Sequence, residues 1–598
     1  MRDAETTLAV IRERGKKGLH LDDVYRQLYN PDLFLRAYGR IYKNTGAMTR
    51  GATEETVDGM STGKIQSIIE LLRDERYRWS PVRRTFIPKR NGKLRPLGIP
   101  TWSDKLLQEV MRSILEAYYE PQFSTMSHGF RPELGCHTAI RAIYSYWTSV
   151  KWLVEGDIKG CFDNIDHTVL LSILREKIHD NRFLILIENL LKAGYLEQWS
   201  YRPTLSGTPQ GGIASPLLAN IYLDRLDKFV EQTLIPVFTK GERKRTRPEY
   251  NRLSLRMQRL KAKDASEGDL KPIRAKLRFL GKNDQFDPNY RRLRYIRYAD
   301  DFLLGLDGPR EEAEEIKVRL GTFLRDHLKL ELSPEKTLIT HARTEKARFL
   351  GYDVSTFDNP GRPGHGHITL RIPPQVIEEK VARYTRGGKP AHRPELANES
   401  DFTIVGTYGQ EYRGYTQYYA YANNRYWLHR LHWAMRSSLL KTLAAKHKSS
   451  VAKMAERYAA KAINENGVAK CLQVVIQRPG KSPLVATFGG QSLKAQPFRW
   501  IEDQFLDLDR VIRRNELIQR VMADECELCG SRDRIQVHHV RKLADLKIEG
   551  RKDAPSWKQV MASRRRKTLI VCKECHEAIH AGRPTRTRDP QEANTTEN

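Results

Sequence analysis

The stretch Leu293-Arg-Tyr-Ile-Arg-Tyr-Ala-Asp-Asp-Phe-Leu-Leu-Gly-Leu306 constrains this chain more than any other. Two short runs rich in aromatic and branched residues flank Ala299-Asp300-Asp301, a pattern that predicts a β-hairpin with two acids at its bend. Adjacent carboxylates repel, so the pair is costly unless a cation or basic group sits opposite, and hard oxygen ligands suit a divalent metal. Aspartate is also a common turn residue, and alone the pair reads as solvated turn chemistry. A third acid shifts that balance. In Lys151-Trp-Leu-Val-Glu-Gly-Asp-Ile-Lys-Gly-Cys-Phe162 the Trp152/Val154 alternation predicts a strand ending near Asp157. If that strand lies beside the hairpin, Asp157, Asp300 and Asp301 meet at one sheet edge, where they would hold two Mg²⁺ ions for in-line nucleotidyl transfer. Spacing alone does not bring them together.

At 598 residues the chain has length for three or four domains, each with its own core. Lys and Arg number 103 against 73 Asp and Glu, a formal charge of +30 with a pI near 9.7, so a polyanion is the expected partner. A basic surface also suits a membrane, but 39% hydrophobic residues, a mean hydropathy of -0.61 and no apolar run near 18 residues argue against a spanning helix. Met1 to His20 lacks the apolar core of a signal peptide, so a cytoplasmic protein without a membrane partner is expected. In that reducing compartment, four of the seven cysteines, arranged as two CxxC pairs, are expected to bind metal rather than form disulfides.

Tyr298-Ala-Asp-Asp301, the Asp157 strand, Thr208-Pro-Gln-Gly-Gly-Ile-Ala-Ser-Pro-Leu217 and Arg348-Phe-Leu-Gly-Tyr352 resemble the ordered blocks of reverse transcriptases. With Ser127-His-Gly-Phe-Arg-Pro132 and Arg95-Pro-Leu-Gly-Ile-Pro100, they resemble the group II intron-encoded reverse transcriptase/maturase family over most of the chain. Under this resemblance Arg83 and Lys89, on a basic hairpin with its turn at Gly92, match positions that grip the incoming triphosphate. Phe162, five residues after Asp157, matches an aromatic that would collide with a ribose 2′-OH and so select deoxynucleotides; without the resemblance a Phe after a strand reads as core. Gln210 precedes Gly211-Gly212, glycines that permit close approach of a nucleic-acid backbone.

Elsewhere the pattern is mostly that of packed helices. Residues 1–40 read as helical, with Leu19, Leu21, Val24, Tyr25 and Leu28 at roughly helical spacing, and Asn44 to Gly59 as a glycine-punctuated loop resembling the family's N-terminal extension. Ser103 is expected to cap a core helix that stops before Pro121, and Ser215 and Pro216 to open another as N-cap and first-turn residue. Residues 240–294 hold 18 Lys and Arg against 7 Asp and Glu, which reads either as a solvated helical face or as a contact for phosphates and structured RNA. The aromatics of Tyr412-Arg-Gly-Tyr-Thr-Gln-Tyr-Tyr-Ala-Tyr-Ala-Asn423, with Tyr426, Trp427 and Trp433, are first of all core; under the resemblance they belong to a helical thumb that grips the template-primer duplex and binds intron RNA. Residues 500–523 read as a basic connector helix with Trp500, Phe505, Leu506, Val511 and Ile512 on its apolar side.

Cys526-Glu-Leu-Cys529 and Cys572-Lys-Glu-Cys575 predict a tetrahedral Cys₄ zinc site able to fold a small domain with little core of its own. His538-His539 and His576-Glu-Ala-Ile-His580 interleave with it, the latter putting two imidazoles on one helical face. The combination resembles an HNH endonuclease, which implies one divalent metal held by His538, His576 and His580, with His539 deprotonating water. Lys567 stands where that motif carries an Asn, and a lysine cannot accept the hydrogen bond that would orient a histidine.

The expected fold is α+β and multidomain: an N-terminal extension (1–60), right-hand fingers and palm (61–370), a helical thumb/maturase domain (371–485), a DNA-binding connector (486–523), a small zinc-bound ββα-metal HNH domain (524–582) and a polar tail (583–598). The resemblance implies an RNA-directed DNA polymerase, bacterial-type and nucleoid-associated, that uses dNTPs, binds its intron RNA to assist splicing, and nicks target DNA. Two rivals stand beside it. A reverse transcriptase of another retroelement or defence system should lack the maturase-type thumb and the HNH module, and an RNA-binding splicing factor with decayed polymerase activity should not keep Asp157, Asp300 and Asp301.

Overall fold

The computed structural model describes residues 3–586 apart from 45, 89–91, 93, 198–199, 203, 205, 208–210, 285–286, 358–365, 465–466, 479, 495–515, 547–554 and 565. Helices α1 (Ala4–Lys16), α2 (Pro31–Ile41), α3 (Thr62–Arg73) and α4 (Trp102–Tyr119) build the N-terminal part. Each begins where a side chain satisfies a free backbone N–H: Asp3, Asn30, Ser61 and Thr101 are the N-caps. Thr101, not Ser103, caps α4, because Thr101 has the extended backbone of a cap while the Ser103 hydroxyl donates to Glu55. Leu19 is exposed and lies between helices, although Leu21, Val24, Tyr25 and Leu28 are buried as their spacing suggests.

Eight strands, β1 (Val82–Pro88), β2 (Leu94–Ile99), β3 (Trp152–Asp157), β4 (Tyr195–Glu197), β5 (Ser200–Arg202), β6 (Arg292–Tyr298), β7 (Asp301–Asp307) and β8 (Ile339–His341), form two sheets. Their orders are β2-β1-β4-β5 and β6-β7-β3-β8. The second sheet is covered on both faces. Successive strand residues point to opposite sides, so Val154, Tyr295, Phe302 and Leu304 enter the core shared with the N-terminal helices, while Leu153, Ile296 and Leu303 enter a second core. That double burial is why Phe302-Leu-Leu304 reads as a continuous apolar run.

The second core is completed by the strands Ala347–Phe349, Tyr352–Thr356 and Ile368–Arg371 and by the helices Asp401–Tyr418 and Leu428–Lys446. Most of the tyrosines singled out above are here: Tyr412, Tyr419 and Tyr421 are buried and Tyr415 and Tyr418 pack against the same core, whereas Tyr426 and Trp433 are exposed. This region is not all helical. An antiparallel sheet of Ala459–Asn464, Gly467–Arg478 and Lys481–Gly489 follows, and its last strand packs so closely on the Asp401–Tyr418 helix that a Cβ at Gly409 would lie 2.1 Å from the Thr487 carbonyl oxygen. The helix Ser215–Phe229 starts after Ala214, so Ser215 is its first residue rather than its cap. The basic segment forms two helices, Pro248–Lys261 and Glu267–Leu280. The connector residues Trp500, Phe505, Leu506, Val511 and Ile512 lie outside the described residues.

At the C-terminal end, Gln536–His539 pairs antiparallel with Thr568–Val571, and the helix Lys573–His580 follows. Val537, Ile570 and Val571 share the N-terminal core rather than forming a separate one. Among the described residues no helix is long and apolar enough to cross a membrane.

Candidate active sites

Asp157 ends β3 directly opposite Asp301, the first residue of β7, and Tyr298 at the end of β6 faces the same Asp301. The register therefore brings Asp157, Asp300 and Asp301 to one sheet edge. Gly156 makes room for this pairing, since a Cβ there would sit 2.1 Å from the Phe302 ring. Burial and the neighbouring carboxylates Asp300 and Asp157 push the Asp301 carboxyl up to about 7; burial and Asp157 raise Asp300. Lys336 Nζ contacts both Asp157 oxygens at 2.8 and 3.0 Å, and the charge of Arg95 reaches Asp300. Three carboxylates on one sheet edge, two of them held above their ordinary range, offer the oxygen donors that divalent cations prefer.

The bend itself is braced from beneath. Ala299 has φ 56, the left-handed region that is strained for an alanine. Arg297, fully buried, donates from Nη1 to the Ala299 carbonyl at 2.8 Å and makes a two-pronged pair with Asp227 at 2.7 and 2.6 Å. Asp227 also accepts from the Tyr295 hydroxyl at 2.8 Å. Asn220, on the same helix as Asp227, accepts from Arg297 and donates to the Gly129 carbonyl, tying in the Ser127–Pro132 block. Gly129 approaches so closely that a Cβ would lie 2.3 Å from the Ala299 nitrogen. The sequence reading missed Arg297 and Asp227; an arginine in alternation with Leu293 and Tyr295, on the face those residues bury, was the available signal.

Phe162 sits in the short helix Cys161–Asn164, partly buried, with its ring edge-on to Phe130 at 6.3 Å. Arg83 lies on β1 and donates to the Arg50 carbonyl at 3.1 and 2.8 Å. Lys89 and Gln210 lie outside the described residues.

The four cysteines converge. Cys529 Sγ is 3.7 Å from both Cys572 Sγ and Cys575 Sγ, and all four sulfurs lie within 4.8 Å of one another. A tetrahedron of sulfurs about 2.3 Å from a zinc ion has edges of about 3.7 Å, so this donor set fits that metal.

His538, His576 and His580 also converge, together with a residue the sequence gave no reason to place there, Asp58. His576 Nε2 is 3.2 Å from His580 Nε2 and 3.2 Å from Asp58 Oδ1; His580 Nε2 is 2.8 Å from Asp58 Oδ2. His538 Nδ1 is 3.4 Å from Asp58 Oδ1, yet neither ring nitrogen of this buried histidine finds hydrogen-bond geometry. On the far side of the His576 ring, Nδ1 is 2.6 Å from Gln536 Oε1, a contact that fixes the ring with Nε2 facing the cluster. Burial would raise the Asp58 carboxyl, but the imidazoles of His538 and His576 set against it hold it well below the usual carboxylate range. Orphaned imidazole nitrogens around a carboxylate suit a divalent metal.

His539 points elsewhere. Its ring is buried, its Nε2 is 2.9 Å from the Tyr38 hydroxyl, and its backbone N–H donates to Asp58 Oδ1 at 2.8 Å. Burial pushes this imidazole down to about 3, so it is neutral at pH 7. The Lys567 carbonyl accepts from Val540 N at 3.0 Å. It is thus Tyr38 on α2, not a residue at position 567, that fixes the His539 ring.

Three stretches of the chain match described families. Residues 87–354 match reverse transcriptase (RNA-dependent DNA polymerase), residues 375–476 type II intron maturase, and residues 526–576 the AI2M/AI1M-like HNH endonuclease. The chain is 39% identical to the group II intron-encoded protein LtrA of Lactococcus lactis subsp. cremoris, over 96% of this chain and 99% of that one. It is 34% identical to an uncharacterized 91 kDa protein in a cob intron of Schizosaccharomyces pombe, over 97% of this chain and 72% of the other. A putative COX1/OXI3 intron 2 protein of Saccharomyces cerevisiae is 30% identical, over 92% and 65% respectively.

Proposed function

Because the chain belongs to the family of group II intron-encoded reverse transcriptase/maturases with a C-terminal HNH endonuclease domain, we propose that its three activities divide among the sites described above. It is an RNA-directed DNA polymerase that also assists intron splicing and carries an HNH endonuclease, and it binds intron RNA and DNA. The polymerase reading of the acid cluster rests on one observation above others, the register that sets Asp157 across from Asp301 with Asp300 beside them.

In this reading Asp157, Asp300 and Asp301 hold two Mg²⁺ ions. Bound there, the ions would supply activation of the primer 3′-hydroxyl and charge stabilisation on the departing pyrophosphate. The chain's own part is positioning. Arg297 and Asp227 fix the bend, Lys336 and Arg95 offset carboxylate repulsion, and Arg83, Lys89 and Gln210 hold the dNTP and template while Phe162 excludes a 2′-OH. Residues 61–370 are read as fingers and palm and 371–485 as thumb, with the sheet at 459–489 part of it. The preceding 1–60 is the N-terminal extension, 486–523 contacts DNA, 524–582 is the nuclease and 583–598 its tail. The Cys₄ site takes structural zinc, and the histidine cluster takes the nuclease metal. The protein works in a bacterial-type cytoplasm on the nucleoid, with no membrane partner.

Primer extension on an RNA template with dNTPs and Mg²⁺ tests the assignment. In-line transfer needs both metals, so Asp300→Ala should slow extension by about 10³-fold or more. Extension by that variant at the wild-type rate would remove the acid cluster from the reaction.

A further inference from the structure

Asp58 belongs to the N-terminal extension, yet it is built into the edge of the nuclease. Gly59 N donates to the Val537 carbonyl at 3.0 Å and Val537 N to the Met60 carbonyl at 2.9 Å, an antiparallel bridge to the strand that carries His538 and His539. Val57 and Met60 on either side are buried, which locks the segment between them. Gly59, at φ 77, turns the chain so that a Cβ at this position would lie 3.6 Å from His576 Cε1. Both Asp58 oxygens face imidazole nitrogens, at 3.2 Å (His576), 3.4 Å (His538) and 2.8 Å (His580).

These spacings are those of a ligand shell. Four N and O donors about 2.1 Å from a tetrahedral ion are about 3.4 Å apart, close to the 2.8–3.4 Å separations found here. A carboxylate placed only to pair with histidines would leave no buried ring nitrogen unused, yet neither nitrogen of His538 has a hydrogen-bond partner although its Nδ1 lies 3.4 Å from Asp58 Oδ1. A shared cation would give that imidazole its partner, and the hydrogen bond from His539 N holds Asp58 Oδ1 in place.

We propose that Asp58 is the fourth protein ligand of the nuclease metal, donated by the N-terminal extension of the polymerase to the HNH module, and that it closes the site until DNA displaces it. A catalytic metal keeps one position open, whereas four protein ligands make a closed site. The scissile phosphate must therefore take the place of the Asp58 carboxylate, an anion for an anion. One metal ion thus joins the polymerase's N-terminal extension to the nuclease and holds the nuclease in check. This rests on the reading of the histidine cluster as a metal site, and the test separates the two.

The probe is Co²⁺, titrated into the full-length chain with its Cys₄ site already filled with zinc and the weaker metal removed by chelation. Visible absorption reports the coordination number independently of any cleavage. The wild type should give the intense bands of four-coordinate Co²⁺. Asp58→Asn, which keeps size and the contact with His539 N, should bind about 10- to 100-fold more weakly with weaker bands of higher coordination. Asp58→His, which returns a nitrogen ligand, should recover the four-coordinate spectrum. At saturating metal, Asp58→Asn should nick duplex DNA several-fold faster than wild type. Equal affinity and spectra for wild type and Asp58→Asn, with binding lost in His576→Ala, would overturn the role of Asp58 and leave the histidine site standing. No Co²⁺ bound by wild type beyond the Cys₄ site would overturn both. Nicking slowed in Asp58→Asn at saturating metal would refute closure.

Discussion

Replacing Asp227 with Asn tests how the polymerase bend is held. Arg297 and Asp227 are both fully buried, and the pair lies on the core face of β6 among Tyr295, Phe302 and apolar neighbours. Asp227→Asn keeps the shape but leaves the guanidinium charge uncompensated, and breaking a buried pair this way costs about 3–5 kcal/mol. Against a typical stability of about 5–15 kcal/mol, that is a large fraction, and at an unfolding entropy of about 2.1 cal/mol/K per residue it corresponds to about 5–8 °C in melting temperature for a domain spanning residues 61–370. The second consequence is local. Arg297 also donates to the Ala299 carbonyl, so an arginine drawn away to seek a counter-charge would free the strained Ala299 turn that sets Asp300 and Asp301. The double variant Asp227→Leu/Arg297→Met separates the two effects. It removes both charges and should recover most of the stability, short of about 1–3 kcal/mol for the Tyr295 hydroxyl left without its acceptor. Extension should stay low, because the Ala299 carbonyl still lacks its donor. Thermal melts followed by circular dichroism, with primer extension measured well below the lowest melting temperature, provide both readings. Wild-type stability in Asp227→Asn, or full extension activity in the double variant, would refute the reasoning.

Other outcomes follow from the same geometry. Asp301 is pushed from an ordinary 3.8 up to about 7, so its ionisation opposes folding: metal-free protein should lose stability as pH rises from about 4 through 7, and Mg²⁺ should reverse the loss, checked by melts against pH with and without Mg²⁺. Phe162→Ala should admit ribonucleotides while leaving dNTP incorporation within a few-fold of wild type, which single-nucleotide incorporation with rNTP and dNTP measures. Cys529→Ser should destabilise residues 520–580 as a unit, seen as faster amide exchange across the segment, whereas His539→Ala should abolish nicking without that change. Since Tyr38 holds the His539 ring, Tyr38→Phe should slow nicking about 10-fold, and Lys567→Asn should leave it unchanged, as a nicking assay of the two variants would show.

Much of this protein is local and so was legible in the sequence. The β6–β7 hairpin follows from two apolar runs around a bend, the end of β3 at Asp157 from alternation, and the Cys₄ site from two CxxC pairs, because each depends on residues a few positions apart or on a ligand set that only one geometry satisfies. The family blocks carried the rest of the polymerase reading. What the sequence could not carry was any pairing across long separations with a common residue at one end. The aspartate of an Asp-Gly turn gives no sign that it faces histidines 480 and more positions away, and Tyr38 in an amphipathic helix reads as core until His539 is found against it. Asp227 likewise looks like one more polar residue on a helix. Only the tertiary structure, by stacking the N-terminal helices against both the β6-β7-β3-β8 sheet and the C-terminal strands that carry the histidines, decides that these side chains are buried, and burial turns an ordinary aspartate into one that must have a partner.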